Sequence, residues 1–191
     1  MSEKKFVTST DAVHAGDAKT KPYDAIPTSI AQTSTYTFES TAEIVALTEG
    51  THARGDREEY GRYGNPTCRG LEVRLAALGG TEDAVLFGSG MAAVTTAILA
   101  PLKAGDHVVA SRALFGSCLY VVQDLLPRYG IETTLVDGLD LDQWQRALRP
   151  NTKTFFLESP TNPTLDVLDI PGIAEIAHSG GARLVVDNVF A

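Results

Sequence analysis

Hydrophobic and polar positions from about residue 65 onward follow helical and strand periods in turn. Leu71, Leu75 and Leu78 recur at helical spacing. Asn65-Pro66 before them is typical of an N-cap with proline at the first helical position, and Gly79-Gly80 after them indicates the end of the helix. The pattern therefore predicts a helix that opens the regular part of the chain.

Short apolar runs and longer periodic segments alternate after this helix. The runs predict strands over residues 84–87, 107–110, 131–136, 154–157 and 184–186. The periodic segments predict helices over residues 91–102, 117–128, 141–148 and 171–178. Such alternation predicts an α/β fold with a mainly parallel sheet flanked by helices.

Residues 1–64 lack this regular pattern. They contain Pro22, Pro27 and many Thr and Ser residues, and their one strong helix candidate covers residues 41–47. A segment with so little periodic apolar sequence is not expected to fold alone. We therefore predict an extended N-terminal arm over 1–64 that lies on a neighbouring subunit, followed by a domain over 65–191.

Composition narrows the function classes. The chain has 191 residues, of which 43% are hydrophobic, and a net charge of -8, which argues against nucleic acid as the main partner. The longest apolar stretch, around residues 91–102, is too short to span a membrane, and the N-terminus lacks a secretory signal, so we expect a cytoplasmic protein. Cys68 and Cys118 form no CxxC pair, which predicts reduced thiols and no metal site.

The turn Phe87-Gly-Ser-Gly-Met91 links a predicted strand to a predicted helix. Glycines at such a turn let backbone N–H groups approach an anion, and the helix start adds partial positive charge, so the turn predicts a phosphate site. Gly88, Gly90 and Ala93 also match the G-x-G-x-x-A spacing of dinucleotide folds, and Arg112 would suit a phosphorylated ribose. An NADP-dependent reductase and a plain tight turn therefore both stay open.

Three further strand ends and the arm carry candidate binding residues. Asp187 follows the last strand, Asn162 lies in the proline-bounded loop after the 154–157 strand, and Phe115 could lie against a flat ligand. In the arm, Arg62 offers a planar fork for phosphate, and Tyr60 can add a hydroxyl on the same side. The alternatives are a helix N-cap or a hydrogen-bonded loop residue at Asp187, turn chemistry at Asn162, a core phenylalanine at position 115 and a solvated Tyr-Arg pair.

Four motifs together resemble the pyridoxal-phosphate (PLP) enzymes of the cystathionine γ-synthase family, in order and in interval. They are Tyr60-Gly-Arg-Tyr-Gly-Asn-Pro-Thr67, Gly88-Ser-Gly-Met91, Glu158-Ser-Pro-Thr-Asn-Pro163 and Val186-Asp-Asn188. The resemblance implies the large domain of PLP fold type I, which is similar to aspartate aminotransferase. Within the family, the segment Arg112-Ala-Leu-Phe-Gly-Ser117 resembles the corresponding segment of the O-succinylhomoserine sulfhydrylases.

The resemblance also implies residue roles. Asp187 would pair with the protonated pyridine nitrogen, Phe115 would stack on the ring, and Asn162 would bond its phenolic oxygen. At the phosphate, Gly90 and Met91 would donate backbone N–H groups from the helix that Ser89 begins. Tyr60 and Arg62 would reach the phosphate of a neighbouring subunit, which implies a homodimer and, by pairing of dimers, a homotetramer.

The reaction implied is γ-replacement on an O-acylhomoserine, with O-succinylhomoserine favoured, by sulfide to give homocysteine in methionine biosynthesis. Cystathionine γ-synthase of trans-sulfuration and cystathionine or methionine γ-lyases are the alternatives. Phe115 stands where many relatives have tyrosine. Because phenylalanine has no hydroxyl group, it cannot donate a proton to the leaving group. Ser117 stands where methionine γ-lyases have cysteine, which weakens the lyase alternative.

The lysine that binds the cofactor covalently in this family lies beyond the Asp187 strand. None of the lysines of this chain has the matching context; they are Lys4, Lys5, Lys19, Lys21, Lys103 and Lys153. We therefore expect the chain to be roughly the first half of an enzyme, and a non-catalytic fragment is the remaining alternative.

Overall fold

The computed structural model describes residues 8–17, 21, 24–51 and 58–191. The chain forms two compact units, Met1–Leu86 and Phe87–Ala191. The predicted division into an arm over 1–64 and a domain over 65–191 stays a prediction.

The first unit contains helices α1 (Ser9–His14), α2 (Thr41–Thr48) and α3 (Pro66–Gly79). The helix predicted between Asn65-Pro66 and Gly79-Gly80 is confirmed as α3. The Asn65 Oδ1 accepts the Thr67 N–H at 2.9 Å, and Gly80 ends the helix at φ 63°. Helix α2 is also as predicted. Helix α1 was not predicted, although Thr8 and Asp11 form a capping box at its start.

Helix α1 and the turn after it are held against α3. The Arg74 guanidinium donates to the Ala15 carbonyl at 3.0 Å and to the Asp17 carboxylate at 3.0 Å. Gly16, at φ +79°, lies so close to α3 that a Cβ at this position would collide with the carbonyl oxygen of Gly70. Only glycine therefore suits this crossing, for both its backbone conformation and its lack of a side chain.

Substituting Gly16 by alanine should release residues 8–17 from α3 in the full-length protein. Gly50→Ala is the matched control, because Gly50 has a similar φ of +69° but no atom within 4 Å of its Cβ position. Both variants should lose about 1 kcal/mol to backbone strain. Gly16→Ala alone should raise hydrogen exchange in α1, by about tenfold or more. Equal exchange in the two variants would contradict a steric role for the crossing.

The second unit is built on a four-stranded parallel sheet of order β2-β1-β3-β4. Its strands are β1 (His107–Ser111), β2 (Glu132–Val136), β3 (Thr152–Glu158) and β4 (Arg183–Asp187). Its helices are α4 (Gly90–Leu99), α5 (Gly116–Tyr120), which continues through a π-helical turn (Val121–Leu125) into α6 (Leu126–Arg128), α7 (Leu141–Ala147) and α8 (Ile170–Ser179). The α/β fold with a parallel sheet flanked by helices is confirmed.

Alternate residues of the central strands point into two separate hydrophobic cores. Val108, Ala110 and Phe156 pack with α4 and with the helical segment that begins at α5. Val109 and Phe155 pack on the other face, beneath α7 and α8, where Trp144 stacks on Phe155 with ring centroids 5.3 Å apart. A parallel strand buried on both faces is a continuous apolar run, which explains why these strands were predictable.

Two predicted elements differ in the structure. Residues 84–87 form no strand: the Leu86 N–H donates to the Glu72 carboxylate at 2.9 Å, and Val85 is 68% exposed. An apolar run becomes a strand only where a neighbouring strand can accept its hydrogen bonds. The helix predicted to reach residue 102 ends at Leu99, because Pro101 has no N–H to continue the helical hydrogen bonds.

Candidate active site

A cleft of about 690 Å³ lies at the carboxyl edge of the sheet in the second unit. The ends of β3 and β4 and the N-termini of α4 and α5 surround it. Its lining contains five of the residues to which the family resemblance gave a cofactor-binding role: Gly90, Met91, Phe115, Asn162 and Asp187. Because parallel strands end at the same edge, motifs far apart in the sequence meet here.

The N-terminus of α4 forms one wall of the cleft. The Ser89 side chain caps this helix by accepting the Ala92 N–H at 3.1 Å, and the Ser89 carbonyl accepts the Ala93 N–H at 3.1 Å. The N–H groups of Gly90 and Met91 have no acceptor within the described part of the chain. Free N–H groups at the start of a ten-residue helix suit a phosphate.

Asp187 ends β4 and is half-buried. Its Oδ1 accepts the Val189 N–H at 3.2 Å, and the Cys118 sulfur lies 3.9 Å from its Oδ2. This bond is that of a hydrogen-bonded loop residue, and among the described residues the carboxylate caps no helix. A carboxylate in this position can pair with a cationic nitrogen on a bound ligand.

Phe115 precedes α5, lines the cleft and is 46% exposed as a residue. It is therefore not the core phenylalanine of the alternative interpretation. Its backbone N–H donates to the Glu158 Oε2 at 2.6 Å, which fixes the start of α5 to the end of β3. The ring is consequently held at the cleft surface, where it can cover a flat ligand.

Asn162 lies in the loop after β3. Buried Thr161 anchors this loop: its N–H donates to the Asp166 carbonyl at 3.0 Å, and its hydroxyl accepts the Asp166 N–H at 2.9 Å. The Ser159 hydroxyl oxygen accepts the Leu168 N–H at 3.1 Å. These bonds hold the loop and keep Asn162 at the cleft wall.

Two titratable side chains in the lining had no assigned role in the sequence analysis. Glu158 is 1% exposed, and burial is the main cause that raises its pKa. Cys118 is also buried, and burial, together with the nearby charges of Asp187 and Glu158, raises the pKa of its thiol to about 11. The thiol is therefore protonated at neutral pH. The available signal for Glu158 was a charged residue at the end of an apolar strand.

Tyr60 and Arg62 lie in the first compact unit. The Arg62 guanidinium carbon is 5.2 Å from the centroid of the Tyr60 ring, and Tyr60 forms a single antiparallel bridge with Thr35. The two side chains are therefore neighbours, as the spacing predicted. Their predicted contact with the phosphate of a neighbouring subunit stays a prediction.

In the dinucleotide alternative, Arg112 was a candidate to bind a phosphorylated ribose. The Arg112 guanidinium instead donates to the Gln143 side chain at 3.3 Å, and Arg112 is not among the residues that line the cleft. Within the described ranges, no group of three or more His, Cys, Asp or Glu side chains is arranged to hold a metal ion. No helix in the same ranges is long and apolar enough to cross a membrane.

Comparison with known proteins supports the family resemblance found in the sequence motifs. The family model for Cys/Met metabolism PLP-dependent enzymes matches residues 9–191. An O-succinylhomoserine sulfhydrylase of Mycobacterium tuberculosis is 46% identical over 167 residues, which cover 81% of this chain and 41% of the relative. An L-methionine gamma-lyase of Fusobacterium nucleatum is 40% identical over 195 aligned positions, which cover 100% of this chain and 48% of the relative.

A solved structure from Campylobacter jejuni, assigned as an O-acetylhomoserine (thiol)-lyase, superposes with a TM-score of 0.86. It is 30% identical, and the match covers 94% of this chain and 43% of that one. That protein holds N'-pyridoxyl-lysine-5'-monophosphate. The present chain thus spans less than half the length of each of these proteins.

Proposed function

Because the chain belongs to the Cys/Met metabolism PLP-dependent enzyme family, we propose that its protein is a PLP-dependent transferase acting on an O-acylhomoserine. O-Succinylhomoserine is the favoured substrate and sulfide the favoured nucleophile. The Cγ–O bond of the ester breaks, a Cγ–S bond forms, and the products are homocysteine and the free acid. The observation that carries this proposal is the meeting of free helix N–H groups, an aromatic ring and a carboxylate in one cleft.

The residues of the cleft fit PLP from the phosphate end to the ring nitrogen. When bound, PLP withdraws electrons from the substrate Cα. The N–H groups of Gly90 and Met91 bind its phosphate at the helix that Ser89 caps. Asp187 holds a proton on the pyridine nitrogen, Phe115 covers one face of the ring, and the Asn162 amide bonds the phenolic oxygen.

A second copy of the chain belongs to the same proposal. Tyr60 and Arg62 supply a hydroxyl and a guanidinium to the phosphate in a neighbouring subunit, so the homodimer is the smallest complete unit and pairs of dimers form a tetramer. Arg62 suits this role because its fork of donors matches two phosphate oxygens.

Phe115 favours replacement over a tyrosine-assisted reaction. Its ring can stack, but it has no hydroxyl to protonate a leaving group. A succinate carboxylate is a weak base that leaves without prior protonation more readily than a thiolate does. The ring at position 115 therefore suits an acyl ester better than the thioether that a methionine γ-lyase cleaves.

An assay of the full-length protein with PLP distinguishes the reactions. O-Succinylhomoserine and O-acetylhomoserine are offered with sulfide, with cysteine and with no nucleophile, and L-methionine is offered alone. We expect homocysteine from O-succinylhomoserine and sulfide as the fastest reaction. Faster formation of cystathionine, or of a 2-oxo acid from methionine alone, would assign the protein to the synthase or the γ-lyase instead.

A further inference from the structure

Glu158 forms part of the cleft floor, at the end of β3. It is 1% exposed, and it is paired in register with Asp187 on the neighbouring strand β4. Its Oε2 accepts the Phe115 N–H at 2.6 Å. Its Oε1 is buried and has no hydrogen-bond partner within the described residues. A buried oxygen without a partner is costly, so this atom needs an explanation.

The charges around Glu158 limit its protonation state. Asp187 faces it from β4 and the Cys118 thiol from α5. Glu158 and Asp187 are neighbours on adjacent strands, so two carboxyl groups lie side by side, and they cannot both ionise easily.

A bound pyridinium would bring one positive charge, which compensates one carboxylate. Asp187 is the better partner for it, because Asp187 is half-buried whereas Glu158, beside it in register, is fully buried. Burial and the charge of Asp187 both raise the pKa of Glu158, although the N–H groups of Phe115 and Asn162 act in the opposite direction. The carbonyl oxygen of a neutral acid can still accept the Phe115 N–H.

We propose, on the basis of the proposed function, that Glu158 is a positioning residue that keeps its proton at neutral pH. Oε2 holds the Phe115 backbone and thereby the ring that covers the cofactor. Oε1, which no hydrogen bond occupies within the described residues, carries the proton. Asp187 is then the single anion available to the pyridine nitrogen.

Infrared spectroscopy of the full-length protein without PLP tests the proton directly. Wild-type protein in D₂O at neutral pH should show the C=O stretch of a protonated carboxylic acid. The band should shift on ¹³C labelling of glutamate and disappear in Glu158→Gln. It should persist in Glu175→Gln, which alters an exposed glutamate on α8. Absence of a glutamate acid band in the wild type would overturn the proposal, and the labelled wild type needs no variant to fold.

Cofactor titration tests the positioning role. Glu158→Gln retains an acceptor for the Phe115 N–H and the neutral charge, so its PLP affinity should stay within about twofold of wild type. Glu158→Leu leaves that part-buried N–H without an acceptor, so PLP should bind about 5- to 100-fold more weakly. Equal affinity in the Leu variant, or equal loss in both variants, would overturn the positioning role. Failure of the wild type to bind PLP would instead contradict the proposed function and leave the infrared result to decide Glu158.

Discussion

Full-length protein with Asp187→Asn should lose about 100- to 1,000-fold of its kcat/KM for the O-acylhomoserine. The carboxylate of Asp187 stands at the end of β4 in the cleft, with one oxygen bonded to the Val189 N–H. In the proposed function it keeps a proton on the pyridine nitrogen, so that the ring can take electrons from the substrate. An amide has no negative charge to hold that proton, although it fills the same space.

The controls separate this role from folding. Asp124→Asn changes an exposed aspartate in the π-helical turn of the same unit and should keep wild-type kcat/KM. Asp187→Glu keeps the negative charge on a longer side chain and should retain part of the activity that Asp187→Asn loses. The visible spectrum of each variant, recorded as a function of pH, reports the protonation of the ring. Asp187→Asn activity within about threefold of wild type would rule out the assigned role.

The strands and the site were largely predictable because one physical rule links them. A parallel strand buried on both faces is a short apolar run, and its carboxyl end is where a ligand binds. Residues 107–110 and 154–157 showed such runs; the structure extends the first by one residue at its end, and the second by two residues at its start and one at its end. Asn162 and Asp187, which follow two such strands, accordingly line one cleft.

Other features depended on information that no local pattern contains. Residues 84–87 are as apolar as the true strands, but the pairing that makes a strand is a property of its neighbours. The importance of Glu158 follows from an acceptor for a backbone N–H 43 residues away and from a second carboxyl in register with it. The target of Tyr60 and Arg62 depends on another copy of the chain.

Acidification should destabilise the protein through His107. This residue, at the start of β1, is fully buried, with its ring nitrogens 2.8 Å from the Thr152 hydroxyl and 2.9 Å from the Thr134 hydroxyl. Burial, together with the charge of Arg149, lowers the pKa of the imidazole from 6.5 to about 4. Below pH 6.5 the unfolded chain binds a proton that the folded protein does not, so the contribution to stability is complete above 6.5 and is lost as the pH falls toward 4. Over that window the loss is about 3 kcal/mol.

Comparison of variants isolates this effect from the carboxylates, which also titrate in acid. His107→Asn keeps an amide between the two threonine hydroxyls but cannot titrate. The free energy of unfolding in urea, measured at about pH 7.5 and about pH 5, should fall about 2 kcal/mol more in wild type than in this variant. His178→Asn, at an exposed position near the end of α8, should behave as wild type. An equal fall in wild type and His107→Asn would show that the buried imidazole accepts its proton within the fold, and hence that the two threonine hydroxyls do not hold it neutral.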